Sequence, residues 1–412
     1  MIAADMEKNL AILRTFSLPG AGVTRFAFSD EDWRARAFIM DEMKKAGLSV
    51  RSDNFGNVIG RRAGSDPNAA AVMMGSHLDS VPNGGAFDGT VGVLSALAAI
   101  KEMNEQGVDN YHPIEMVVFM AEESSRFGAA TLGSKAMCGL LLAEDLKNIR
   151  DKEKTPLYDV LRSRGFDPDR IADAVYRGSV KVFFELHIEQ GKALEAAGKQ
   201  IGVVTGIAAP TRLRVLLHGH ADHSGATPMG MRHDGLCAAA EIILAVEKLA
   251  AESDPPCVGT VGIIRTVPCV MNVIPGETEL GIDLRSIYAD AKKTLAGKLR
   301  DRIGEIAGKR DIPFTVDILA DDTPVRLNES VIGFLAGICA KRGCRYMKMP
   351  SGAGHDAMHW AVGHPTGMLF VPCKNGVSHH PDEYAATEDI AAGTRILYDA
   401  VCRAADKDTI FT

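Results

Sequence analysis

The chain has 412 residues, 46% of them hydrophobic and 24% charged, which is enough for two domains that each bury a core. A net charge of −7 argues against nucleic acid and anionic membrane surfaces as partners, since both require a basic field. No apolar stretch approaches the roughly 20 residues of a membrane span, no basic and apolar leader opens the chain, and eight scattered cysteines without a Cys-x-x-Cys pair read as reduced thiols, so a cytoplasmic protein is expected.

In chain order, helical patterns cover residues 4–18 and 30–46, the second opening on Ser29-Asp30-Glu31 and stopping at Gly47. Short strands are expected at 49–53 and 56–61, then a strand at 70–76 that is apolar without alternation, as a strand buried on both faces would be. It delivers His77 and Asp79 into a Pro/Gly/Asn loop, and the loop delivers Asp88 to a helix over 90–106. Three further strands follow the same plan. Residues 114–121 end in Glu122-Glu123, residues 180–186 end in His187, and residues 367–371 lead to His379-His380. Ligand-type residues thus recur just past strand ends, where α/β sheets bind their ligands. Between the last two lies a different pattern: strand 212–217, helix 234–252, strands 259–267 and 277–287, helix 289–309 and strand 314–319. That β-α-β-β-α-β order is the ferredoxin-like signature, and it places an inserted domain at 211–325 within a discontinuous domain of 1–210 and 326–412.

Alone, Asp88 reads as a helix N-cap and Asp79 as a turn residue. Together, His77, Asp88, Glu122 or Glu123, His187, and His379 or His380 form the donor set of a catalytic divalent-metal site. Two ions about 3.5–4 Å apart need a carboxylate between them, and Asp88 on its glycine-flanked loop is the natural bridge. Asp79 is placed to fix the tautomer of His77. Of the two glutamates, one can bind metal while the other acts as general base. The inserted domain adds His218, His220, Asp222 and His223 before Thr227-Pro228-Met229, then Asn272 and Arg285, the latter suited to a substrate carboxylate.

These residues carry a resemblance. The segments Gly75-Ser76-His77-Leu78-Asp79-Ser80, Phe87-Asp88-Gly89, Glu122-Glu123-Ser124-Ser125-Arg126-Phe127-Gly128, Glu185-Leu186-His187-Ile188-Glu189-Gln190-Gly191, His223-Ser224-Gly225-Ala226-Thr227-Pro228-Met229, Asn272-Val273-Ile274-Pro275-Gly276, Ser351-Gly352-Ala353-Gly354-His355-Asp356 and Ser378-His379-His380-Pro381-Asp382-Glu383 resemble those of the N-carbamoyl-L-amino acid hydrolase and allantoate amidohydrolase group of dinuclear-metal, aminopeptidase-like enzymes. The resemblance implies an α/β catalytic domain with a mixed sheet and an inserted ferredoxin-like lid and dimerisation domain. It implies that His77, Asp88, Glu123, His187 and His379 hold two divalent ions, Mn²⁺ or Zn²⁺ with Co²⁺ or Ni²⁺ as substitutes, with Asp88 bridging. Glu122 becomes the general base, supported by Asp79. His223, from a partner subunit's lid in a homodimer, polarises the scissile carbonyl, and Gln190, Asn272, Arg285 and His355 bind a small carboxylate substrate. The implied reaction is hydrolysis of a ureido or amide C–N bond. The competing readings are a dinuclear-metal exopeptidase or aminoacylase, and a metal-bound protein that binds without chemistry. Ser224 and Ala226 depart from the group's lid turn, and His379-His380 is a doublet where the group has one histidine; the frame Ser-His-x-Pro-x-Glu selects His379.

Overall fold

A computed structural model describes residues 2–411. In chain order its strands are β1 (Ser49–Ser52), β2 (Val58–Arg62), β3 (Ala71–His77), β4 (Ile114–Phe119), β5 (Val180–Ile188), β6 (Ile201–Ile207), β7 (Ala209–His218), β8 (Asp222–His223), β9 (Val258–Val267), β10 (Val273–Ile274), β11 (Glu277–Ser286), β12 (Phe314–Asp321), β13 (Val325–Arg326), β14 (Tyr346–Ser351) and β15 (Thr366–Val371). The chain divides into two compact units. One comprises the chain up to Thr205, Leu327–Met349 and the part from Gly354 onward, and the other comprises Gly206–Arg326 with Pro350–Ala353.

The larger sheet has the order β1-β2-β4-β3-β5-β15-β6-β13, with β14 on β6. Its centre, β4-β3-β5-β15, is parallel, while β2 joins β4 and β15 joins β6 antiparallel. Every residue of β3, β4 and β15 is buried, which explains why their apolar residues run together rather than alternate, as parallel strands covered on both faces require; Glu115 in β4 is a buried exception. The helix Thr90–Glu105 is buried almost all round and packs on the helix Thr387–Ala404, with Ser95 and Thr394 hydroxyls 2.9 Å apart at the contact. Neither the latter helix nor Glu329–Lys341 nor β6 figured among the expected elements.

Two ends differ from expectation for backbone reasons. The strand expected to reach Ala121 stops at Phe119, because Ala121 takes a left-handed φ of 56° that breaks the ladder and turns the chain before Glu122. The strand expected to end at Leu186 runs on through His187 to Ile188, so His187 lies inside β5 and His77 is the last residue of β3. Two buried arginines pin these ends. Arg36 pairs with Asp32 at 2.9 Å and donates to the carbonyls of Val118 and Phe119 at 3.1 and 2.7 Å, using the acceptors that the broken ladder leaves. Arg25 donates to the Leu78 carbonyl at 2.7 Å and to Leu13 and Phe16, and burial lowers its pKa to about 10.

In the second unit, β12-β7-β11-β9 form an antiparallel sheet, the strand order of a ferredoxin-like β-α-β-β-α-β unit. The helix Gly235–Ala251 starts where the Asp234 carboxylate accepts the N–H groups of Leu236 and Cys237. Leu295, Leu299, Ile303 and Ile306 repeat at helical spacing on Ala289–Lys309 and meet Leu280, Ile282 and Leu284 of β11 in one core.

Because both partners of the Arg36–Asp32 pair are wholly buried, Arg36→Ala strands a charge and two carbonyls. It is expected to lower unfolding free energy by about 3–5 kcal/mol, whereas Arg34→Ala, which removes an exposed pair with Glu31, changes it by less than about 1 kcal/mol. Urea denaturation of the two variants checks this, and equal effects would contradict it.

Candidate metal centre

The first unit brings His77, Asp88, Glu122, Glu123, His187 and His379 together around one carboxylate. Asp88 Oδ1 lies 3.4 Å from His77 Nε2 and 3.1 Å from His187 Nε2, while its Oδ2 lies 3.2 Å from His379 Nε2. Glu123 Oε1 is 3.2 Å from the same His379 nitrogen, and Glu122 Oε2 is 3.6 Å from His77 Nε2. Two ligand groups therefore share Asp88, one on each oxygen: His77 with His187, and Glu123 with His379. Atoms bound to one ion at about 2.1 Å with tetrahedral angles stand about 3.4 Å apart, close to the separations seen.

The tautomers show what this arrangement needs. His77 Nδ1 lies 3.0 Å from the Asp79 carbonyl and His187 Nδ1 lies 2.9 Å from the Ile188 carbonyl, so each Nδ1 carries its proton toward an oxygen. His187 Nε2 also accepts the N–H of Gly89 at 3.2 Å. The unprotonated Nε2 atoms then stand against the Asp88 carboxylate, the lone pair of His77 free and that of His187 shared with Gly89 N–H, and a cation between these acceptors resolves the arrangement. The electrostatics agree. Burial works against protonating His77, yet the surrounding carboxylates of Glu122, Asp88 and Asp79 hold its pKa well above the usual value. Burial raises Asp88, but His187, His379 and His77 outweigh it and hold the group well below the carboxylate range. Glu122 is pushed well up, by burial and then by Glu123, Asp356 and Asp79. This donor set fits a pair of divalent cations.

Local backbone builds the geometry. At Gly89, with φ 62°, a Cβ would stand 2.5 Å from the His77 ring, so only glycine lets the Asp88 loop approach that imidazole. The Asp79 carboxylate stands 3.8 Å from His77 Nδ1, beyond hydrogen-bond reach, so the side chain does not fix the tautomer as expected; its backbone carbonyl does. The carboxylate instead accepts the N–H groups of Glu122 and Glu123 at 3.2 and 2.9 Å, holding the turn after Ala121. His379, with φ 56°, faces Asp88, while His380 turns outward and accepts the N–H of Asp382 at 3.2 Å.

Gln190 donates to Asp88 Oδ2 at 2.8 Å, leaving its buried Oε1 without a partner among the described residues. His355 is buried edge-on against His187, with ring centroids 4.6 Å apart. Sequence reasoning missed Glu185, which accepts from Ser76 Oγ at 2.9 Å and Ala357 N at 3.0 Å and groups with His187 and His355. A glutamate inside the apolar run of β5 was its signal. In the second unit, exposed His223 accepts the N–H groups of Gly225 and Ala226 on Nδ1 at 3.0 and 3.2 Å, leaving Nε2 as the protonated donor. Ser224 N bonds the Asn272 carbonyl at 3.1 Å, which sets Asn272 beside that turn. Arg285 is held by Asp283 at 2.8 Å and donates to the Gly352 carbonyl at 2.9 Å. It lies eight residues from Glu277 on β11, about 26 Å along the strand, and Glu277 is at the end nearer Asn272. Within one copy the strand therefore carries Arg285 away from the end near Asn272.

The sequence pattern of Peptidase family M20/M25/M40 matches residues 73–403. The chain belongs to this family. It is 42% identical over 384 residues to the N-carbamoyl-L-amino acid amidohydrolase of Geobacillus stearothermophilus, across 93% of each chain. It is 36% identical over 393 residues to the allantoate amidohydrolase of Escherichia coli K12, across 95% of each. A crystal structure of a hydantoinase/carbamoylase family amidase from Burkholderia multivorans superposes with a TM-score of 0.92 at 33% identity, covering 99% of this chain and 98% of that one. This M20 chain is thus a hydrolase of the amidohydrolase type, with a cluster of candidate metal ligands near the ends of its central strands.

Metal binding to the folded state alone stabilises by about 2.7 kcal/mol per site at a hundredfold excess over Kd. Chelator-treated protein is therefore expected to melt at a lower temperature and to regain stability with Mn²⁺ or Zn²⁺, and Asp88→Ala to lose most of that gain. A melting temperature indifferent to both metal and chelator would contradict the donor-set argument.

Proposed function

We propose that this M20 protein hydrolyses the ureido C–N bond of a small carboxylate-bearing substrate, an N-carbamoyl-L-amino acid or allantoate, with two divalent ions held by His77, Asp88, Glu123, His187 and His379. The observation that carries the proposal is the sharing of Asp88, one oxygen toward His77 and His187 and the other toward His379. The names of the relatives supply the substrate class. When bound, the ions polarise the scissile carbonyl and make the attacking water acidic at neutral pH. Mn²⁺ and Zn²⁺ suit the imidazole and carboxylate donors, and Co²⁺ and Ni²⁺ fit the same set.

Glu122 is the general base. Its N–H is anchored by Asp79, its side chain lies beside His77, and it belongs to neither of the ligand groups that share Asp88. It takes the proton of the attacking water and passes it to the leaving nitrogen. Gln190, fixed by its bond to Asp88, presents its buried Oε1 to a substrate N–H, and His355 packs behind His187. For an N-carbamoyl amino acid the products are the amino acid, carbon dioxide and ammonia.

The second unit serves as lid and dimerisation domain, residues 211–325 in the sequence reading. His223 of the partner subunit, protonated on Nε2, stabilises the developing oxyanion, and Asn272 of the partner subunit binds beside it. Arg285 takes the substrate carboxylate. The distance between Asn272 and Arg285 within one copy supports this division of labour between two copies. So do the exposed apolar residues Val258, Ile263, Ile264 and Val267 along the edge strand β9, a row that a second copy would cover.

Ammonia release from N-carbamoyl-L-amino acids and allantoate, set against a dipeptide panel, tests the substrate class. Turnover of the ureido acids supports the proposal, and cleavage of dipeptides alone overturns it. Glu122→Gln is expected to lower kcat by about 10²–10⁴-fold with both ions still bound, and a wild-type kcat would remove Glu122 from the role.

A further inference from the structure

Glu383 closes the segment that carries His379, and none of the roles above uses it. It is 4% exposed, and its hydrogen-bond neighbours are all donors. Oε1 accepts the backbone N–H groups of Phe87 and Asp88, each at 3.0 Å. Oε2 accepts the Ser378 hydroxyl at 2.8 Å and the N–H of His379 at 3.4 Å. One carboxylate thus ties the loop of Asp88 to the loop of His379, with Glu383 itself 295 residues from Asp88 in sequence. The space it occupies depends on a glycine, since a Cβ at Gly85 would lie 2.0 Å from Glu383 Oε1 and 2.2 Å from its Cδ. His379 also sits at a left-handed φ of 56°, a conformation that a residue with a side chain keeps only when its surroundings hold it.

We infer that Glu383 is a positioning residue that sets the affinity of one metal subsite, the one formed by Asp88 Oδ2, Glu123 and His379, more than that of the subsite formed by His77 and His187. The inference rests on the two-ion reading proposed above. The asymmetry follows from which ligands lean on Glu383. His77 and His187 are oriented by the carbonyls of Asp79 and Ile188, neither of which Glu383 touches, so Glu383 reaches their subsite only through the shared Asp88. In the other subsite, two of the three ligands, Asp88 and His379, receive their backbone placement from Glu383. Hydrogen-bond partners behind metal ligands change affinity by about 10–100-fold.

The test is a chelator-competition titration with Zn²⁺, resolved into two dissociation constants, on wild-type protein and on the variants Glu383→Ala, Glu383→Gln and Gly85→Ala. The melting temperature of each metal-free form is measured alongside. Glu383→Ala is expected to weaken one subsite by at least about tenfold and the other by less than about threefold. Glu383→Gln should fall between, because it keeps one oxygen for the N–H groups of Phe87 and Asp88 but turns an NH₂ toward His379 N. Gly85→Ala, which leaves Glu383 in the chain but displaces it, should reproduce the selective loss; it carries the comparison if Glu383→Ala does not fold. Loss of His379 signals, rather than His77 signals, in NMR spectra of the one-ion state assigns the weakened subsite. Wild-type affinity at both subsites, or equal loss at both, overturns the positioning role. Wild-type protein that binds fewer than two ions instead overturns the two-ion reading, a result distinct from either of these.

Discussion

Asp88 is a buried anion whose two oxygens each face imidazole nitrogen, with His77 and His187 on one and His379 on the other. An ion taken out of water costs several kcal/mol unless it is paired in good geometry, and the lone pairs that the Asp79 and Ile188 carbonyls leave on His77 and His187 make the problem worse rather than better. Positive charge between these groups is the condition under which the arrangement is stable. The glycine at 89, the broken strand at Ala121 and the left-handed backbone of His379 all serve to bring ligands to that one carboxylate.

The scaffold achieves this with backbone hydrogen bonds as much as with side-chain packing. Parallel strands β3, β4 and β5 are buried over nearly all their length, and the chain leaves each of them within a few residues of a candidate ligand. At the departures from β3 and β4 a charged side chain takes up the freed backbone groups. Arg36 takes the last carbonyls of β4, Arg25 the Leu78 carbonyl, and the Asp79 carboxylate the N–H groups of the two glutamates. Such charge-assisted bonds fix the position of a turn more closely than apolar contact does, which is what ligand geometry requires.

Three of the clustered first-unit positions stand out in sequence because an unusual residue type follows a largely apolar run that has to be a buried strand: Ala71 to His77, Ile114 to Glu123, Val182 to His187. The ferredoxin-like order was legible for the same reason, through alternation on β7 and β11 and helical spacing between them. What stayed hidden depends on distances that spacing does not encode. Asp79 looks like a partner for His77, yet its carboxylate reaches 43 residues forward to Glu122 N. Asn272 and Arg285 are both polar residues of the inserted segment, yet β11 carries Arg285 eight residues along from Glu277, which stands at its end near Asn272. Strand β6 and the helix Thr387–Ala404 carry ordinary core residues, Val203, Val204, Ile390 and Leu397, and nothing in such residues distinguishes them until the sheet they complete is known. Glu185, buried in β5, reads as a flaw in an apolar strand until Ser76 and Ala357 N are seen to satisfy it.

The central claim is that one carboxylate joins two ion sites. The most direct measurement is anomalous diffraction at the metal edge from crystals grown with Zn²⁺ or Mn²⁺. The account predicts two peaks about 3.5–4 Å apart, one beside His77 and His187, one beside Glu123 and His379, with Asp88 between them. A single peak served by all of these ligands, or two peaks that do not share Asp88, would contradict it.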